Sequence, residues 1–154
     1  MYKKILVPLD GSETAEDALD HLKAIARGGG VETVVLIRVL ETMIIDARDY
    51  VAAEHVHAAE EKLKADARKY LKKVAADLKE EGFNVDTKLV VDGNAAAKIL
   101  ETARDNDIDL IIMCTHGKSG FPHWVFGSVT HRVLIHSPVS VLVVIPKGSK
   151  RFPW

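Results

Sequence analysis

The chain has 154 residues, a formal net charge of −1 and a hydrophobic content of 47%. This length fits one domain with a sizeable core, and the charge gives no argument for nucleic acid, a polyanion that selects a basic face. No apolar run approaches the roughly 18 residues of a membrane span, so we expect no membrane. Cys114 is the single cysteine, and without an export signal we expect a reducing, cytoplasmic location.

The first forty residues predict a strand, a helix and a second strand. Two short apolar runs are typical of buried strands, over Lys3–Asp10 and Thr33–Glu41. Between them, alanines and leucines recur at helical spacing. Ser12 or Thr14 can cap this helix, and the glycines of Gly28–Gly30 end it.

The segment from about Asp46 to Gly82 predicts a long amphipathic helix. Its apolar residues form one stripe among lysines and acids: Val56, Leu63, Ala67, Leu71, Val74 and Leu78. The first part, Ala47–Ala59, allows two interpretations, the opening turns of this helix or a lid over a site. We favour the helical turns.

The second half of the chain continues the alternation. Strands are predicted over Asn84–Asp92, Asp109–His116 and Val139–Pro146, and helices after a cap at Asn94 and over Ser128–His136. Strands that alternate with helices five times predict an α/β domain, with one doubly wound five-stranded parallel sheet and helices on both faces. We expect this domain to span residues 1–146, with a short tail over 147–154.

Three predicted strand ends carry unusual residues. They are Pro8-Leu9-Asp10-Gly11-Ser12, Arg38-Val39-Leu40-Glu41 and the long loop that begins at Cys114. Ligands of open parallel sheets bind beyond the carboxyl ends of the strands, where the strand order reverses. If the first and fourth strands are neighbours, Asp10 and Gly117 face each other across a crevice.

The loop after the fourth strand has features of a phosphate site. Gly117 allows close approach to the backbone. After nine intervening residues, Gly127-Ser128 opens a helix, whose free N–H groups and dipole favour an anion. The Ser128 hydroxyl can cap that helix or donate to a phosphate oxygen, and Thr130 adds a second hydroxyl. Since strand-to-helix loops are rich in Gly and Ser anyway, a purely structural loop stays open as the alternative.

Two familiar phosphate motifs are excluded. Gly117-Lys118-Ser119 supplies the final triplet of a Walker A loop, but Ile112 stands where its first glycine belongs, and Pro122 interrupts any following helix. A dinucleotide fingerprint needs its glycines directly after the first strand.

The sequence resembles the universal stress protein family over nearly its whole length, from Lys3-Lys4-Ile5-Leu6-Val7-Pro8 to Pro138-Val139-Ser140-Val141-Leu142-Val143-Val144. The resemblance implies strand order 3-2-1-4-5. The family's ATP-binding branch carries Gly, two residues, Gly, nine residues, and Gly-Ser or Gly-Thr. Gly117 and Gly127-Ser128 match the later part, and Cys114 stands at the first glycine.

The resemblance also implies a set of nucleotide-binding residues. Asp10 corresponds to the acid on the adenine side and Val39 to the residue whose backbone meets the adenine edge, while the glycine loop cradles phosphate. The implied set is Pro8, Leu9, Asp10, Val39, Met113, Cys114, His116, Gly117, Gly127, Ser128, Val129 and Thr130. The implied function is a regulatory stress-response protein that binds ATP, or AMP or ADP, with any Mg²⁺ carried by the phosphates, and that is at most a weak ATPase. A homodimer through the last strand, Val139–Ile145, is implied as well.

Other functions are weighed beside this one. The main alternative is a dimeric interaction module that binds no nucleotide and acts through its surface. Cys114 with His116 as base would make a nucleophile, but no orienting acid is nearby and buried cysteines are inert. His55 and His57 are two residues apart and share no helix face, and no zinc spacing is found, so we expect no dedicated metal site.

Overall fold

The computed structural model describes residues 1–41, 50–115 and 127–148, with the side chains of 50–56 excepted. The strands are β1 (Lys4–Pro8), β2 (Thr33–Leu40), β3 (Val85–Val91), β4 (Leu110–Cys114) and β5 (Ser140–Val144). The helices are α1 (Glu13–Arg27), α2 (Tyr50–Glu80), α3 (Ala95–Asp105) and α4 (Ser128–His136). Each predicted strand and helix is therefore present, and Tyr50–Ala59 is helical. The start predicted for α2 near Asp46 lies outside the described residues.

The five strands form one parallel sheet in the order β3-β2-β1-β4-β5. This confirms the fold and the strand order that the resemblance implies. The chain builds outward from β1 through β2 to β3, and then crosses to β4 on the other side of β1. The order thus reverses between β1 and β4, so the crevice expected of such sheets lies at their carboxyl ends.

Residues of the strands alternate between two buried faces, as the pleat requires. On one face Ile5, Val7, Leu36 and Ile112 pack against α1 and α2, whose contacts include Leu22, Leu71 and Leu78. On the other face Leu6, Ile37, Ile111 and Met113 pack against α3 and α4 through Ile99, Ala103 and Val133. Helices therefore cover both faces of the sheet, as predicted.

One part of the predicted stripe on α2 is wrong. Leu63 is 46% exposed, whereas Ala67, Leu71, Val74 and Leu78 are buried. The helix has 31 residues, which is about 46 Å at 1.5 Å per residue. The longest strand has eight residues and reaches only about 26 Å. The helix is longer than the sheet that it covers, and its buried residues are concentrated from Ala67 onward.

Side-chain caps fix where two helices begin. The Ala15 N–H donates to the Ser12 hydroxyl at 3.1 Å, so Ser12 and not Thr14 caps α1. The Ala97 N–H donates to Asn94 Oδ1 at 3.2 Å, which confirms the cap predicted for α3. Both caps stand at the carboxyl edge of the sheet and set the positions of the turns there.

The last strand, β5, lies at an edge of the sheet. Beyond it the Lys147 N–H donates to Asp17 of α1 at 2.7 Å, and the Lys147 ammonium pairs with Asp20. The start of the predicted tail is therefore attached to α1. Within the described ranges, no helix has the length and hydrophobicity needed to cross a bilayer.

Candidate functional site

A cavity of about 280 Å³ opens at the carboxyl ends of β1 and β4, where the strand order reverses. Its lining comes from the β1–α1 turn, β2, the ends of β4 and the starts of α3 and α4. The lining residues are Pro8, Leu9, Asp10, Ala15, Ile37, Val39, Ala95, Ile99, Met113, Cys114, Thr115, Gly127, Ser128, Val129 and Thr130. The crevice expected from the sheet topology is thus present in the structure.

Most of the cavity wall is apolar. Ile37 and Val39 are two apart on β2 and so point to the same face, where Ile99 of α3 and Met113 of β4 also contribute. The Leu9 N–H donates to the Ile37 carbonyl at 2.8 Å, which extends the ladder past the end of β1. The cavity is thus an apolar slot with polar groups at its two ends.

Asp10 provides the polar group at the β1 end of the slot. Its Oδ1 accepts hydrogen bonds from the Ser12 N–H at 2.9 Å and from the Ser12 hydroxyl at 2.5 Å. Gly11, between them, has φ +83, a conformation that residues with a Cβ rarely adopt. The glycine lets the turn fold back, and Ser12 fixes the orientation of the Asp10 carboxylate.

The amino terminus of α4 lies at the other end of the slot. Its N-cap is Gly127, which offers no side-chain acceptor and makes no side-chain capping hydrogen bond. By contrast, Glu41 Oε1 accepts from the Ala95 N–H at the start of α3, at 3.1 Å. The first N–H groups of α4, which have no partner within the helix, therefore lie at the end of the cavity that favours negative charge.

Gly127 is held close to the strand before it. Its N–H donates to the Thr115 carbonyl at 2.8 Å, and a Cβ on Gly127 would lie 3.2 Å from that same oxygen. The sequence predicts that a ligand requires glycine at this position. The structure adds a second reason, because a side chain here would crowd the Thr115 carbonyl.

Two predictions about hydroxyl groups are corrected. Ser128 does not cap α4, since it is the first residue of the helix and Gly127 is the cap. The Thr130 hydroxyl donates to the Cys114 carbonyl at 2.9 Å, and the side chain is buried. Thr130 therefore ties α4 to β4, while the exposed Ser128 is the hydroxyl that faces solvent at the helix start.

Cys114 makes its contacts with α1. Its Sγ lies 3.7 Å from the Ala15 carbonyl and the residue belongs to the core beneath α1 and α2. Burial raises the pKa of the Cys114 thiol to about 11, so it is neutral near pH 7 and a poor nucleophile. Among the described residues other than glycine, positive φ occurs only at Asp92 and Asp107, so Cys114 has ordinary strand geometry that needs no glycine.

Ten of the twelve residues predicted for the site line the cavity, and His116 and Gly117 lie outside the described residues. The sequence did not single out five further lining residues: Ala15, Ile37, Ala95, Ile99 and Thr115. Ile37 could have been found as the residue two before Val39, and Ala95 as the residue after the predicted cap. No three His, Cys, Asp or Glu side chains form a metal-binding group in the parts of the chain that are described.

A model of the universal stress protein family matches residues 1–144. The chain belongs to the universal stress protein family. Universal stress protein MJ0577 from Methanocaldococcus jannaschii is 36% identical over 161 aligned residues, which cover 97% of this chain and 98% of that protein. The solved structure of MJ0577 superposes with a TM-score of 0.81 at 37% identity and covers 97% of this chain and 99% of its own.

More distant universal stress proteins share the fold. A universal stress protein solved in complex with cAMP has a TM-score of 0.68 at 21% identity, over 94% of this chain and 97% of its own. A family member from Arabidopsis thaliana with AMP bound has a TM-score of 0.66 at 15% identity, over 95% of this chain and 93% of its own.

Proposed function

We propose that this universal stress protein binds an adenine nucleotide in the cavity between β1 and β4 and acts as a regulatory protein of the stress response. The observation that carries the proposal is the pairing of an apolar slot with an uncapped helix terminus. A nucleotide has the matching parts, a flat base that apolar walls accept and phosphates that a helix amino terminus attracts.

Each end of the slot fits one part of the nucleotide. The base would lie between Val39 and Met113, with Asp10 within its reach, and the phosphates would meet the N–H groups of Ser128 and Val129. The cAMP and AMP complexes of proteins with this fold support the choice of adenine. His116 and Gly117 complete the proposed set through the family resemblance.

ATP is our first choice of nucleotide, with AMP and ADP as the alternatives. Any Mg²⁺ would arrive with the phosphates, because Mg²⁺ takes few protein ligands. We propose slow or absent hydrolysis. A phosphoryl-transfer catalyst needs a group that positions water and a clamp on the transferred phosphate, and Asp10, the one carboxylate among the described lining residues, stands at the base end.

Calorimetry with ATP, ADP, AMP and GTP tests nucleotide binding. Wild type should bind the adenine nucleotides and discriminate against GTP. Ser128→Ala should weaken binding of ATP by roughly tenfold, since a hydrogen bond to a charged group contributes ~1.5–3 kcal/mol. Ser140→Ala, on the edge strand and outside the cavity lining, is the matched control and should leave ATP binding unchanged.

Phosphate release from ATP tests hydrolysis separately. We expect a steady-state rate near background for the wild type. A robust rate that disappears in Ser128→Ala would make the protein an ATPase and would contradict the regulatory function.

We also propose that two copies pair through β5. Ile145 is 68% exposed and Ile135 of the adjacent α4 is 61% exposed, and exposed apolar edges favour pairing. Val141→Lys should convert a dimer to a monomer in sedimentation, while Thr87→Lys on the opposite edge strand should not. An unchanged mass for Val141→Lys would exclude β5 as the interface.

This exposed edge also favours the second candidate function, an interaction module that needs no nucleotide. If wild type binds none of the four nucleotides and still dimerises, the module is the better description.

For either function we propose a cytoplasmic location, because the chain has only one cysteine and it is buried. We also propose residues 1–146 as the folded unit.

A further inference from the structure

Arg38 is a buried cation that the nucleotide site does not use. It lies near the carboxyl end of β2 and is only 7% exposed. No carboxylate of the described residues lies within 4.0 Å of its guanidinium. Burying a charge costs free energy unless other contacts compensate, so its surroundings must explain why it is there.

The guanidinium is held between a backbone turn and an aromatic ring. On one side, a Cβ built on Gly11 would lie 2.9 Å from Nη1, 3.0 Å from Cζ and 3.1 Å from Nη2, so the group faces the bare Cα of the glycine. On the other side, Cζ lies 5.3 Å from the centre of the Tyr70 ring of α2. This distance is within the range of a cation–π contact.

Arg38 and the cavity are on opposite faces of the sheet. Ile37 and Val39, its neighbours on β2, point to the face of α3 and line the cavity. Arg38 points to the face of α1 and α2, where Tyr70 packs. The guanidinium thus packs against the turn on the face of α1 and α2, whereas Asp10 of the same turn lines the cavity.

Two acids and Arg38 act on the hydroxyl of Tyr70. Burial raises the pKa of Tyr70, and the carboxylates of Glu16 and Asp10 raise it further, while Arg38 lowers it. Arg38 and Asp10 therefore both act on the ring of Tyr70. The positive charge of Arg38 is thus opposite in sign to the two carboxylates that act on the same ring.

We propose that Arg38 is a positioning residue that holds the Asp10–Ser12 turn from the opposite face of the sheet and so sets the selectivity of the cavity for adenine. The inference rests on the nucleotide-binding function proposed above. Without the guanidinium, Gly11 loses its packing partner, and the whole turn, in which Ser12 orients the Asp10 carboxylate, can shift relative to the cavity. A carboxylate placed at the base accepts a hydrogen bond from the adenine amine, whereas hypoxanthine presents a carbonyl at that point and offers no donor.

The test compares AMP with inosine monophosphate by calorimetry. Wild type should prefer AMP. Arg38→Met, which keeps an unbranched apolar stem but removes the guanidinium with its charge and its plane, should weaken AMP binding by roughly tenfold, about 1.4 kcal/mol. Its affinity for inosine monophosphate should stay within roughly twofold, a difference below about 0.5 kcal/mol. Arg27→Met, at an arginine of α1 that is 69% exposed, is the matched control and should retain the preference.

A selective loss of AMP binding supports the positioning role, because a merely loosened fold would weaken both nucleotides alike. Equal weakening of both, or an intact preference for AMP, overturns it, as does a wild type that never distinguishes the two. A wild type that binds neither these nucleotides nor ATP rejects the proposed function itself. Urea unfolding of each variant establishes that it is folded, and if Arg38→Met does not fold, Arg38→Lys, which keeps the charge and loses the planar face, replaces it.

Discussion

Replacing Cys114 by the glycine of the family motif should destabilise the protein without improving its site. The side chain is 7% exposed and packs in the core beneath α1. Removing the buried sulfur and Cβ should cost ~1–2 kcal/mol. A glycine within a strand costs a further ~0.5–1 kcal/mol relative to alanine. We therefore expect Cys114→Gly to lower the free energy of unfolding by ~1.5–3 kcal/mol.

Nucleotide affinity should hardly change in the same variant. The thiol contacts the Ala15 carbonyl, and the only part of Cys114 that a described α4 residue bonds is its carbonyl oxygen, which accepts from Thr130. Glycine retains that oxygen. The dissociation constant for AMP should stay within roughly threefold of wild type, a difference of less than about 0.7 kcal/mol.

Urea denaturation and calorimetry on wild type, Cys114→Ala and Cys114→Gly measure both effects. Alanine separates the loss of sulfur from the backbone cost of glycine, so its loss of stability should be roughly half as large. The reasoning is refuted if Cys114→Gly binds AMP tenfold more tightly, because the side chain would then obstruct the ligand. It is refuted equally if glycine leaves the stability unchanged.

Four further predictions follow from single contacts. Thr130→Val removes the hydrogen bond to the Cys114 carbonyl, so it should cost ~1–2 kcal/mol of stability and weaken AMP binding. Thr130→Ser keeps the hydroxyl and should retain the stability and the affinity. An equal loss in the serine variant would show that the methyl group matters instead. Gly127→Ala places a Cβ 3.2 Å from the Thr115 carbonyl and should cost ~1 kcal/mol in urea unfolding, a claim that an unchanged midpoint would contradict. Above pH 9.0 the thiol of Cys114 ionises in the unfolded chain, while in the folded protein it keeps its proton up to a pH of about 11. The free energy of unfolding of wild type should therefore fall, by at most about 3 kcal/mol relative to Cys114→Ala, as the pH rises across that window. Parallel curves of stability against pH for the two proteins would contradict this. Asp109 accepts hydrogen bonds from the N–H groups of Lys3 and Lys4, which lower the pKa of its carboxyl from 3.8. Asp109→Asn should therefore be less stable than wild type near neutral pH. The difference in stability should disappear as the pH falls through and below 3.8.

Much of the fold could be predicted because local signals agree with one another. The apolar runs of β1 and β4 are bounded by turn residues, and the serine and asparagine caps of α1 and α3 mark where those helices begin. The prediction that Leu63 is buried was wrong because helical periodicity carries no information about the length of the sheet. Helical spacing identifies the face of α2, but only the length of the sheet decides how far along the helix that face is covered.

The candidate site was predictable in its location and less so in the roles of its residues. Sheet topology places Asp10 and Gly127 at one crevice, because the order reverses there. The sequence could not reveal that the Thr130 hydroxyl is taken up by a carbonyl 16 residues earlier in the chain. It also could not reveal that Arg38 is buried behind the Asp10–Ser12 turn, since a charged residue near the end of a strand usually faces solvent.

The hydrogen bond between the Gly127 N–H and the Thr115 carbonyl joins the two ends of the segment 116–126. Since this bond and the bond from Thr130 to the Cys114 carbonyl hold the start of α4 against the end of β4, a change in the length of the segment should have a small entropic cost, about 0.6 kcal/mol for each doubling. Insertions, deletions or grafted sequences between Thr115 and Gly127 should therefore leave the helix in its place. The position is therefore a suitable insertion site for protein engineering, where a new recognition segment can be placed beside an existing cavity.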